Sequence, residues 1–442
     1  MPARSTDRWG VPLQSGNLQA VGHFDAAVED LVSLSGDPVS AVEDAVGEDD
    51  GLTLGHLLGA YLALYGTSSQ GVARASEILD GIDGAHRELD EREVLHLRAA
   101  RAWASGELND AARSLERALL HEPRDLLALK VAQDLYFFLG RSEDLRGVVA
   151  RVLTAWRPED PGWGYVQGMY AFGLEENAEF QKAEEFARLA LDRNPQDVWA
   201  THALAHVFEM QGRTEDGLAF LTQSARDWES SYFAIHNWWH QSLFHLERGE
   251  VEEVLGLYDG EIRRNRSCEW LDLADAASLL WRLSLFGIDI EERASELAGD
   301  IEPLVGEPIY LFNDWHAVMA LSLAGRRDAV ERVTTAVRRR SVGSNRLVAE
   351  RVGLALLEGF DSYASGRFEN ALEVLWEARL FAHAVGGSHA QRDVIDLTLM
   401  AAATRSGRVD YVDALVGERL HRKPSAVGAT SHLLRASATR DE

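Results

Sequence analysis

The sequence predicts an all-α fold, a solenoid of tetratricopeptide-type helix pairs stacked around a concave inner groove. Two observations predict it. Good helix formers dominate, and only 10 prolines interrupt 442 residues. A frame of small residues also returns at intervals of roughly thirty-four positions, the period of tetratricopeptide helix pairs.

The frame is clearest at Gly106, Ala111, Leu115, Ala118 and Pro123. Gly106 ends one helix, Ala111 lets the partner helix approach, and Pro123 ends that partner. Tyr136 and Gly140 belong to the next copy, and Ala171, Ala183, Ala190 and Pro195 mark a third. Gly212 with Gly217 marks a fourth and Gly249 a fifth. Weaker copies centre on Gly325, on Gly366 with Ala371 and Ala378, and on Gly407. Helix pairs therefore start near Arg92, Leu126, Gly164, Val198, Ile235, Leu311, Val352 and Asp393. One pair alone cannot bury its apolar face, so neighbours must stack.

This frame sets the expected organisation. Residues 1–91 form an N-terminal helical region packed on the array, with helices over 18–35 and 52–65. Residues 92–267 hold five tetratricopeptide-like pairs. Residues 268–310 form an irregular helical insert, helical in pattern over 270–286 but out of frame. Residues 311–421 hold further pairs, and 422–442 form a flexible tail, rich in Pro, Ser, Gly and Ala. The first residues are expected to be loosely ordered as well.

Charge and cysteine content narrow the partners. The net charge is −27, from 44 basic and 71 acidic residues. Such a surface repels phosphate backbones and anionic lipid, which argues against nucleic acid and membrane. Cys268 is the one cysteine, so no intramolecular disulfide forms, as suits a reducing cytoplasm. The start of the chain shows no apolar signal-peptide core, and no apolar run is long enough to span a bilayer.

The unusual residues fall on the first helices of the pairs, which line the groove in this kind of repeat. In the copy starting at Val198, His202, His206 and Glu209 take inward positions; in the next, His236 and Trp239 do, with His240 directly after Trp239. Glu175, Asn313, Asp314 and His316 take similar places in their copies. His202 with His206, and His236 with His240, are two i, i+4 pairs on adjacent helices, and each pair presents both rings on one face. Two such pairs can converge on a divalent transition metal such as Zn or Fe, with Glu209 completing or orienting the set. Without a metal the same groups suit acid–base chemistry, because imidazole titrates near neutrality. Histidines interleaved with Trp199, Trp238 and Trp239 also suit plain packing. The turn Gly386–Asp393 leads into a helix that Ser388 can cap, and its amides with Arg392 suit an anionic group. Gly168 and Gly173 are spaced for close helix contact.

These stretches resemble the tetratricopeptide repeat protein 38 family. The matching phrases are GMYAFGLE at 168–175, HALAHVFEM at 202–210, HNWWH at 236–240, FNDWH at 312–316 and GGSHAQRDV at 386–394. VPLQSGNLQAVGHF at 11–24 and DLLALKVAQDLYFFLG at 125–140 match as well. The resemblance spans nearly the whole chain and implies the solenoid fold. It places His202, His206, Glu209, His236, Asn237, His240, Asn313, Asp314, His316, Gln391, Arg392 and Asp393 at positions the family's phrases carry, and it implies no reaction.

Two functions from different classes follow. In the first, the chain is a small-molecule enzyme or binder, acting by acid–base or metal-assisted chemistry in hydrolysis, elimination or isomerisation. His202, His206, His236 and His240 hold the metal or move protons, with Glu209, Asp314 and His316 beside them as catalytic groups. Glu175, Asn237, Trp239, Asn313, Gln391, Arg392 and Asp393 contact the substrate. In the second, the groove binds a partner's peptide, the common work of helical repeats.

Overall fold

The computed structural model describes residues 5–438, and these are almost entirely helical. Among them the strands are β1 (Ser5–Thr6) and β2 (Pro12–Leu13), paired antiparallel with Ser5 opposite Leu13. The chain divides into two compact units: residues up to Leu204 with Ser224–Phe233, and Ala205–Gln223 with the residues from Ala234 onward.

In the first unit consecutive helices fold back on one another through short turns. These pairs are α1 (Leu18–Ser33) with α2 (Pro38–Glu48), α3 (Thr53–Tyr65) with α4 (Ser69–Gly84), and α5 (Glu91–Ala104) with α6 (Leu108–His121). Then follow α7 (Leu126–Phe138) with α8 (Ser142–Val152) and α9 (Trp163–Glu175) with α10 (Phe180–Arg193). The α5–α6 pair shows why. Asp90 accepts from the Glu93 amide while the Glu93 side chain accepts from the Asp90 amide, a reciprocal cap that starts α5. Ala111, Ala112, Leu115, Ala118 and Leu119 bury one stripe of α6. At Gly173 a Cβ would sit 2.7 Å from the Arg146 Cα, so α9 meets α8 at glycine distance.

The N-terminal hairpin, expected to be loose, is instead pinned. Asp7 meets the Arg92 guanidinium at 3.3 Å, and Arg92 also pairs with Asp125 at 2.6 Å and donates to the Pro12 carbonyl. His96 joins Asp125 at 3.0 Å, and the Tyr61 hydroxyl reaches His96. A buried guanidinium needs such partners, so ordering the hairpin stabilises Arg92 as well. Residues 1–4 lie outside the described ones.

The chain continues through α11 (Val198–Met210), α12 (Thr214–Trp228), α13 (Ala234–Glu247), α14 (Val251–Leu257), α15 (Trp270–Leu285) and α16 (Glu291–Ile301). Next come α17 (Leu311–Leu323), α18 (Arg327–Arg340), α19 (Gly343–Val348), α20 (Leu354–Ala364) and α21 (Phe368–Ala378). The last are α22 (His389–Arg405), α23 (Val409–Arg422) and α24 (Val427–Ala438). Gly106, Gly140, Gly212, Gly249, Gly325, Gly366 and Gly407 all carry φ between 63° and 82°, where a side chain is strained, and each follows the first helix of its pair.

Two expectations need correction. The stretch 268–310 is not an irregular insert. It is the helix pair α15–α16, and α15 is the central helix of the second unit, packed on α13, α17 and α22. Ala274, Ala276, Leu279, Leu280, Trp281 and Leu283 are all at most 1% exposed. A helix buried on every side shows no one-sided apolar stripe, which is why its pattern looked out of frame. The tail expected over 422–442 is helical through α24, which packs on α22 and buries Leu433 completely. Residues 439–442 lie outside the described ones. No described helix is long and apolar enough to cross a membrane.

Candidate metal centre

α11 supplies His202, His206 and Glu209, and α13 supplies His236 and His240. Each pair sits slightly more than one turn apart, so its rings share a face. Each of the four histidines offers one ring nitrogen, and these atoms all lie within 4.8 Å of one another. Two ligands on opposite sides of a transition-metal ion at about 2.1 Å are about 4.2 Å apart, so the ring nitrogens stand close enough to share one ion. All four are buried, none more than 3% exposed.

In the second unit the His206 and His240 rings meet edge-on with centroids 4.5 Å apart, and His236 meets His240 at 4.8 Å. The outward nitrogens of two rings are tied to carboxylates. His240 Nδ1 donates to Glu209 Oε2 at 2.9 Å, and His236 Nδ1 donates to Asp275 Oδ2 at 2.8 Å. That places each proton on Nδ1 and each lone pair on Nε2, the arrangement that makes imidazole a metal ligand. Burial, with the charges of His206, His236 and Arg282, holds His240 well below the ordinary imidazole range, so it is neutral at neutral pH. Burial also raises the carboxyls of Glu209 and Asp275, against the pull of nearby positive charge. In the first unit the His202 ring packs against Trp199, Phe172 and Phe233, with centroids 5.1 to 5.2 Å away.

The other expected site residues have varied surroundings. Trp239 stacks on His236 at an interplanar angle of 15° and donates to Ser278 Oγ at 2.9 Å. Asn237 is fully buried, and neither atom of its amide has a partner among the described residues. His316 is tied into its own helix, where Nδ1 donates to the Phe312 carbonyl at 2.8 Å, and burial pushes its pKa down to about 3. Burial raises the Asp314 carboxyl well above its ordinary value. Asn313, also on α17, is buried too. Glu175 is buried at the end of α9, in the first unit. Gln391 and Ser388 cap α22 reciprocally. Arg392 donates to the carbonyls of Gly386 and Gly387, and Asp393 pairs with Arg419 at 2.6 Å. These contacts make the glycine turn a helix start held by its own side chains.

The wall expected to face an open groove is therefore an interior. His206, His240 and Asn237 are 0% exposed, and Glu209, Asn313 and Asp314 are 6 to 7% exposed. Asp275 and Arg282, which sequence reasoning missed, complete it. Both lie on α15, seven residues apart on one face, in a helix buried on every side. A signal was available, since charged residues in such a helix need buried partners. No family model matches the chain.

Proposed function

We propose that the chain is a metalloprotein that binds one divalent transition metal through His202, His206, His236 and His240 and uses it on a small molecule. The observation that carries this reading is the convergence of four ring nitrogens within 4.8 Å, two of those rings being oriented by carboxylates. Imidazole ligands suit zinc, iron and their neighbours. Such an ion supplies Lewis acidity and a water acidic enough to react near neutral pH. Glu209 and Asp275 orient the ligands, and Asn237 is a buried donor–acceptor for a bound molecule. Hydrolysis, elimination and isomerisation all suit this set.

The recurring helix pairs support the solenoid reading and membership of the tetratricopeptide repeat protein 38 family, and with them the peptide-binding alternative. Enclosure of the histidines speaks against a peptide at that place. The single cysteine suits the cytoplasm. Elemental analysis of purified protein, before and after dialysis against zinc or iron, tests the proposal. One equivalent of metal, lost in His206→Ala and His236→Ala variants that keep wild-type helix content, is the expected result. Protein that takes up no metal overturns it.

A further inference from the structure

Four arginines are buried among the described residues: Arg92, Arg263, Arg282 and Arg419. Arg92 pairs with Asp125, Arg263 with Asp300 and Arg419 with Asp393, each at 2.6 Å. Arg282 is the most enclosed of the four, at 2%, and forms no ion pair. It donates to the carbonyl of Ser278 at 3.1 Å and to those of Ala390 and Gln391 at 2.8 and 3.5 Å. Of the five N–H groups a guanidinium carries, these three bonds leave two.

Its position is next to the histidines. The guanidinium carbon lies 5.4 Å from the Trp239 ring centroid, and that indole lies 5.2 Å from the His236 ring and 4.9 Å from the His240 ring. The carboxylates whose charge reaches Arg282 are Asp393, Glu209 and Asp275, and each is engaged elsewhere. Asp393 is paired with Arg419, Glu209 with His240 and Asp275 with His236. Lys423 has Glu247 at 3.6 Å, and burial raises the Asp314 carboxyl, which weakens its charge. Asp272 stands ten residues before Arg282 on the same helix, about 15 Å along it. Once a dication sits among the four histidines, Glu209 and Asp275 offset its charge, and of the four buried arginines among the described residues Arg282 is the one left without a counterion.

We infer that Arg282 binds the negative end of the molecule handled at the histidine centre, and that this molecule carries a compact oxyanion, a carboxylate or a phosphate. The inference rests on the metal reading above. A planar guanidinium is the side chain that best matches such a group, through paired N–H donors. Its pKa, drawn down to about 10 by burial, agrees with a cation short of negative charge.

Calorimetric titration of the zinc-loaded protein with glycolate, its neutral amide glycolamide, and inorganic phosphate tests this, with zinc content measured in every sample. Glycolate is expected to bind at least tenfold more tightly than glycolamide. Arg282→Gln is expected to remove that preference without changing zinc content. Phosphate binding more tightly than glycolate, with the same dependence on Arg282, also supports the inference and names the source. Equal binding of glycolate and glycolamide by wild-type protein overturns it, as does an unchanged preference in Arg282→Gln. Equal binding in the wild type overturns the inference even if that variant fails to fold. Protein that takes up no zinc defeats the metal reading and with it the charge balance that leaves Arg282 without a counterion, whereas equal binding by zinc-loaded protein defeats the anion site alone.

Discussion

Replacing Asp275 with Asn separates a metal centre from a packing cluster, because the two predict effects of opposite sign. The Asp275 carboxylate accepts from His236 Nδ1 at 2.8 Å and is 1% exposed. The amide keeps the size and removes the charge. Losing a carboxylate that orients a ligating histidine costs roughly 10- to 100-fold in metal affinity. With free metal at 100 times the wild-type Kd, binding stabilises the wild type by about 2.7 kcal/mol; the variant retains about 1.4 to 0.4 kcal/mol. Without metal the sign differs. Burial already raises the Asp275 pKa, so the ionised carboxylate carries a desolvation cost that the amide avoids. The metal-free variant should therefore be as stable as the wild type or slightly more so. Urea denaturation with and without metal, alongside competition against a chelator of known affinity, reads both quantities. A variant that loses 2 kcal/mol or more without metal, or binds metal as tightly as wild type, refutes the reasoning.

Further outcomes follow from the packing. Glu209→Gln acts on His240 as Asp275→Asn acts on His236, and the double variant should lose roughly the product of the two affinity factors, measured by the same competition. Burial pushes the Asp125 carboxyl up, but Arg92 and His96 outweigh it and hold it far below the ordinary 3.8. A depressed folded pKa gives stability that is complete above the unfolded value and lost as pH falls below it. The Asp125 contribution should thus persist at neutral pH and fade below about pH 4, and Asp125→Asn should cost about 3–5 kcal/mol at pH 7 and flatten that acid limb. Gly173→Ala sets a methyl 2.7 Å from the Arg146 Cα, a backbone atom that cannot rotate away, and should cost about 1–3 kcal/mol in denaturant titration. Leu433→Ala should cost about 2–5 kcal/mol if α24 is part of the core; a neutral effect would mean the segment is not packed.

Much of the fold was legible because its signals are local. The starts inferred at Leu126, Val198 and Leu311 coincide with α7, α11 and α17, and those at Arg92, Gly164 and Ile235 fall one residue inside α5, α9 and α13. Turn glycines and short connections set these positions, and both act over a few residues. The two histidine pairs were legible for the same reason, since an i, i+4 spacing fixes two side chains on one helix face whatever surrounds it.

What the sequence determined by itself was therefore the helices, their turns and the residues sharing each helix face. The tertiary structure decided the rest. It enclosed the histidines instead of leaving them on a groove, joined Asp275 to His236 from a helix 39 positions along the chain, and left Arg282 buried without a carboxylate. It also made α15 central and α24 part of the core. Burial and charge compensation depend on which helices meet, and no periodicity within one helix carries that information.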